Sequence, residues 1–253
     1  MKSNRLIFTF TTGRSGTMLL KELLSICPDK GLGVYHEPEP SFQEAWYNSK
    51  NVKDRKDYIQ KFILEEKLEA ISKLNHDIYI ETSHVFSKWF IHIFTELGID
   101  FDLIFLARNT KDIVKSMYDL NDIPGVTSTG KDWYLNPFSK ENVYIANREW
   151  TNYQLCYWYV LETLAREKIF KESENKVEKN IKMFDVTLNE LCQWDSYSKF
   201  IISLGLSLPN KNDYYRVTDT KWNAKERRKS DGNILPDNTD EQEKQVREYL
   251  SII

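Results

Sequence analysis

The sequence predicts an α/β protein: a central, mostly parallel sheet flanked by helices in three layers, with residues 1–253 as a single domain. Three observations predict it. Apolar runs at residues 6–10, 33–36, 77–82, 103–107 and 181–186 are strand-length, and segments of helical periodicity separate most of them. The run at 103–107 is apolar throughout, as in a strand covered on both faces. Turn-forming residues, among them Gly13, Gly16, Pro28, Pro38, Pro40 and Gly98, fall where such elements must begin or end.

Taken in order, residues 6–10 form the first strand and the leucines from Leu19 to Leu24 the first helix, which begins near Ser15 and stops before Pro28. The strand at 33–36 runs into Glu37-Pro38-Glu39-Pro40, where the prolines force an extended exit. Ser41 caps the next helix, with Glu44 three residues on. Ile59, Phe62, Ile63, Leu68, Ile71 and Leu74 mark an amphipathic helix over 57–74. The strand at 77–82 ends in Ser83-His84, a helix spans 86–97, and Gly98 stops it. After the strand at 103–107 comes a helix, then an irregular stretch, 121–140, of the length of a lid or binding segment. A long aromatic helix over 142–172 carries Trp150, Tyr153, Tyr157, Trp158 and Leu161 as packing residues. Residues 181–186 give a late strand, 209–238 read as irregular, and a short helix over 240–250 closes the chain.

Composition excludes several classes. A net charge of −3 gives no bulk attraction to nucleic acid, so anions must be bound locally. The N-terminal apolar run is too short for a signal peptide and has no cleavage site, and nothing approaches the roughly 18 apolar residues of a membrane span. Cys27, Cys156 and Cys192 are odd in number and scattered, which predicts reduced thiols in a cytoplasmic protein and no metal site.

The chemistry concentrates in Thr12-Gly13-Arg14-Ser15-Gly16-Thr17-Met18, a glycine loop between a strand and a helix. Unpaired N–H groups and the dipole of a helix N-terminus attract anions, and the glycines permit close approach. Arg14, Ser15 and Thr17 add a guanidinium fork and two hydroxyls. The loop lacks the G-x-x-x-x-G-K-[ST] of nucleotide triphosphatases and the dinucleotide G-x-G-x-x-G. A second stretch, Arg108 at a strand end with Ser116 eight positions later, offers another fork and hydroxyl.

Together these stretches resemble the two phosphate-binding motifs of sulfotransferases that use 3′-phosphoadenosine 5′-phosphosulfate (PAPS). Arg14-Ser15-Gly16-Thr17 is similar to their [KR]-S-G-T-[ST] loop, with Met18 in place of the last hydroxyl. Arg108 to Ser116 resembles their R-[ND]-P-x-D…S motif, with Thr110 in place of proline. Residues 184–188 and 200–206 resemble the family's late strand and the end of its next helix. The resemblance implies a P-loop-like nucleotide-binding fold. It implies PAPS as donor and its bisphosphate product PAP, without a metal. It places the 5′-phosphosulfate on Thr12 to Met18 and the 3′-phosphate on Arg108 and Ser116. Arg228 and Lys229 lie where many members carry a basic loop over the 3′-phosphate, although the first glycine of that loop is absent.

Arg14 is then a catalytic residue at the leaving phosphate, and the acceptor needs a general base. Glu37 is the first candidate, at the strand end where glycan, tyrosylprotein and trehalose members carry a glutamate; Glu39 is near enough to exchange roles. His36 points to the opposite face if the strand persists. His84 competes, at the end of the third strand where cytosolic members place K-T-H and this chain has Thr82 for the lysine. Residues 121–160 read as an acceptor-site or lid segment, and its aromatic stretch 133–158 suits a small-molecule or carbohydrate acceptor. Nucleic acid and membranes are not expected partners. The rival readings are an unusual P-loop kinase and a PAPS-binding protein without catalysis.

Overall fold

A computed structural model describes residues 5–174, 181–220 and 234–251. In chain order its elements are β1 (Arg5–Phe10), α1 (Thr17–Ser25), β2 (Leu32–Tyr35), α2 (Phe42–Ser49), α3 (Arg55–Lys61), a π-helical turn (Phe62–Lys67), α4 (Leu68–Lys73), β3 (Ile78–Glu81), α5 (Phe90–Glu96) and β4 (Asp102–Ala107). There follow α6 (Thr110–Asp119), α7 (Ser128–Trp133), α8 (Asn152–Glu174), β5 (Met183–Thr187), α9 (Leu188–Leu191), α10 (Trp194–Ser203), α11 (Lys211–Thr218) and α12 (Thr239–Tyr249). The chain forms two compact units. One comprises the described residues of 5–11, 15–108 and 181–220; the other those of 12–14, 109–174 and 234–251.

The first unit is built on one sheet of order β2-β3-β1-β4-β5, with every pair parallel. Alternation along β1 sends neighbouring side chains to opposite faces. Ile7, with Ile80 and Ile104, joins a core made with Leu20, Leu23 and Leu24 of α1, Phe200 and Ile201 of α10, and Tyr214 of α11. Phe8 faces the other way, stacked 4.2 Å from Phe86 and edge-on to Phe94 and Phe42. Helices thus cover both faces, and the strands' carboxyl ends open into the loops that hold the candidate residues. The second unit is helical: α8 packs against α6 and α12. Tyr153 donates to Glu243 at 2.7 Å, and Arg247 donates to the Tyr157 hydroxyl at 2.8 Å.

Five elements differ from their sequence expectation, each for a stated reason. The helix expected over 57–74 contains the π turn, in which Leu68 N–H bonds Ile63 O; the five-residue step between those two apolar positions is its sequence trace. The helix expected from residue 86 begins only at Phe90. Ser83 Oγ takes the Val85 N–H and Ser87 Oγ bonds His84 O, so side chains compete with helical pairing there. The aromatic helix begins at Asn152 rather than 142, because the Glu162 carboxylate takes the N–H groups of Val143 and Tyr144, and Thr151 and Gln154 cap each other's backbone. Within the stretches read as irregular, Thr127 caps α7 and Asn210 caps α11.

Candidate active site

In the first unit, β1 leads to α1, whose N-terminus no side chain caps. Gly16 sits there at φ +99°, a conformation glycine adopts freely, and a Cβ would lie 2.6 Å from Leu188 Cδ1. The first N–H groups of α1, from Thr17 and Met18 onward, therefore lack an intrahelical acceptor and carry the positive end of the helix dipole. Ser15 is buried beside them. Arg108 directly follows β4, as the sequence predicts.

In the second unit, Arg14 Nε donates to Ser116 Oγ at 3.2 Å. The two expected anion motifs, 102 residues apart in sequence, are therefore joined by a direct hydrogen bond. Ser116 belongs to α6, whose start is fixed by Asn109, the side chain of which accepts from Lys111 and Asp112 N–H. Arg14 stands at φ +68°. Its neighbour Gly13 donates to the Tyr159 hydroxyl at 3.3 Å, and a Cβ there would meet the Tyr134 ring at 2.7 Å. Tyr134 and Tyr159 meet edge to face at 4.9 Å. Thr12 is buried in the same unit. Arg228 and Lys229 lie outside the described residues.

The ends of β2 and β3, both in the first unit, gather acidic and imidazole groups. β2 stops at Tyr35, so His36 does not continue the pleat. Its Nδ1 lies 2.6 Å from Thr82 O, and its Nε2 is 3.8 Å from Glu37 Oε2 rather than on the opposite face. Nδ1–H thus donates to the carbonyl, and burial holds the imidazole pKa below its ordinary value. Glu37 takes φ +50°, a strained backbone for an L-residue. Burial raises its carboxyl to about 7, against the opposing pull of the Ser83 hydroxyl, which donates to Oε1 at 3.3 Å, and of the Lys88 charge. Glu39 is otherwise engaged: its carboxylate accepts the Ser41 N–H at 3.0 Å. His84 is buried three residues beyond β3.

Arg14 and Glu37 are the only charged residues with a left-handed backbone among the described residues, and both are candidates from sequence alone. Sequence reasoning missed Lys67, Glu81, Lys88 and Tyr159. Lys67 and Glu81 pair at 2.8 Å with essentially no exposure. Burial raises the Glu81 pKa, while Lys67 and the Tyr79 hydroxyl, 2.7 Å from Oε2, oppose that rise. One signal for Lys67 was present: it stands four residues from both Ile63 and Ile71 on an otherwise apolar stripe. Among the described residues no helix is long and apolar enough to cross a membrane. Cys27, Cys156 and Cys192 are all free thiols.

Comparison with known proteins bears on this geometry. The sequence profile of the Sulfotransferase domain matches residues 4–199. Among solved structures, the sulfotransferase domain from the curacin biosynthetic pathway superposes with a TM-score of 0.53 at 12% identity, covering 100% of this chain and 99% of that one. Mouse sulfotransferase SULT7A1 complexed with PAP gives 0.50 at 12% identity, with 97% and 84% covered. At that identity the two structures show a shared fold. No curated protein sequence matches.

Proposed function

The chain belongs to the sulfotransferase family, and we propose that it moves a sulfuryl group from PAPS to a hydroxyl or amine of a small-molecule or carbohydrate acceptor. The observation that carries the donor reading is the hydrogen bond from Arg14 to Ser116, which joins residues of both phosphate motifs. A PAP complex of a structure with the same fold is in keeping with it.

In this reading Arg14 neutralises the charge that builds on the bridging oxygen and 5′-phosphate as the S–O bond breaks. The loop N–H groups, Ser15 and Thr17 share that load. Arg108 and Ser116 take the 3′-phosphate. Glu37, as carboxylate, removes the proton of the acceptor O–H or N–H while the new bond to sulfur forms in line with the departing PAP. A carboxyl poised at about 7 is half ionised at neutral pH, which suits a group that must accept a proton and then release it. Within 133–158 the half-buried Trp133, Phe138, Tyr144 and Trp150, rather than the buried Tyr153, Tyr157 and Trp158, supply faces for a sugar or ring acceptor.

Calorimetric titration with PAP and with ATP–magnesium tests the donor. Tight PAP binding with weak ATP binding is expected, and preference for ATP–magnesium sinks the reading in favour of a kinase. Incubation with labelled PAPS and panels of phenols, sugars and amines tests catalysis. Transfer that survives in His84→Ala but not in Glu37→Gln assigns the base to Glu37; binding without transfer to any panel leaves a PAPS-binding protein.

A further inference from the structure

We infer that Lys67 is a positioning residue for the reaction: its buried ammonium clamps the strap 37–40 and thereby fixes Glu37 at the end of β2. The inference rests on the reading of Glu37 as the base. Lys67 closes the π turn and is 1% exposed. Its ammonium donates to Pro40 O at 2.9 Å and Pro38 O at 3.3 Å, and lies 2.8 Å from Glu81 Oε2. Three oxygens thus meet the three protons of an ammonium. The charge also sits 4.5 Å from the Phe42 ring centroid, at the start of α2 where the strap ends.

The strap has few other means of attachment. Pro38 and Pro40 have no N–H to give to a neighbouring strand, so their carbonyls are the handles that remain. Lys67 takes both, one of them in the residue directly after Glu37. The other end of the clamp is rigid: Glu81 lies in β3, in register with Tyr35 of β2, and also holds the Tyr79 hydroxyl. A lysine that served only to neutralise Glu81 would need no contact with the strap. A displacement of about 1 Å in a catalytic group can cost on the order of 10²-fold in rate, which is the scale expected when the clamp is lost.

The charge-neutral pair Lys67→Met/Glu81→Gln removes the clamp without stranding a buried charge. With PAPS and an accepted acceptor, kcat is expected to fall about 30-fold or more with the KM for PAPS within about threefold. Amide hydrogen exchange at residues 37–41 should rise at least about tenfold, while exchange in β1 and β4 stays as in the wild type. Lys67→Gln/Glu81→Gln, which restores a donor to the carbonyls, should recover part of both losses. Unchanged exchange in the methionine variant overturns the clamp. Unchanged kcat overturns the positioning role. In the wild type the Glu37 and Glu39 amides should exchange at least about tenfold more slowly than in an unstructured peptide. Exchange there at the unstructured rate overturns the clamp even if the methionine variant does not fold. Full activity of Glu37→Gln, by contrast, removes the base reading and with it the positioning role, and leaves the clamp itself, since exchange in the strap is read without catalysis.

Discussion

The acidic ends of β2 and β3 and the basic loop after β1 handle charge in opposite ways. At the acidic end, titratable groups are buried and tuned by what surrounds them: Glu37 is pushed up to about 7, Glu81 is raised, and His36 is lowered. Around the loop, charge is carried by the Arg14 guanidinium and by the N–H groups at the start of α1, whose dipole is fixed by the backbone. The first arrangement makes a group that changes protonation during a reaction. The second makes a constant field for an anion. One chain needs both if it is to hold a charged donor and deprotonate an acceptor.

The comparison can be broken most directly at Glu37. Glu37→Gln removes the proton acceptor with little change of shape and should lower kcat by about 10³-fold at pH 8. In the wild type kcat/KM should rise with pH to a half-maximal point near 7, the raised carboxyl, and this limb should vanish in the variant. A limb that persists in Glu37→Gln would move the titrating base elsewhere, His84 first.

The same burial has a stability cost of opposite pH sign to the usual carboxylate. Between the unfolded pKa of 4.5 and the folded value of about 7, the native state holds the proton more tightly than the unfolded chain. Wild-type stability therefore falls as pH rises through that window, by about 3 kcal/mol. Glu37→Gln lacks the penalty. Its melting temperature should exceed the wild type's at pH 8 and match it near pH 4, and equal values at pH 8 would show that Glu37 is not desolvated.

Smaller effects sharpen the other half of the comparison. Arg14→Ala should weaken PAP binding about 10²-fold by calorimetry, and Arg14→Lys should recover only part, since an ammonium lacks the fork. Gly16→Ala places a Cβ in a left-handed backbone 2.6 Å from Leu188 and should lower stability by about 1–2 kcal/mol, read as a drop of several degrees in melting temperature. Ser116→Ala removes one hydrogen bond, that from the charged Arg14 Nε, and should weaken PAP binding about tenfold. Equal losses for Arg14→Ala and Ser116→Ala would mean that the hydroxyl matters chiefly by orienting the guanidinium.

By itself the sequence determined the strand-and-helix order, the loop Gly13–Thr17, the pair Arg108 and Ser116, and the acidic exit Glu37-Pro38-Glu39-Pro40. These are local signals, because glycine, proline, apolar runs and short spacings act on the backbone within a few residues. Tertiary structure alone decided that Arg14 bonds Ser116, that Glu39 is tied to the Ser41 N–H, and that Lys67 lies under the strap against Glu81. It also decided the surroundings of each carboxyl. Glu37 and Glu39 are the same side chain two residues apart; burial lifts Glu37 toward neutrality, while Glu39 accepts the Ser41 N–H. Desolvation depends on everything packed within several ångströms, most of it distant in the chain, so no short motif encodes it.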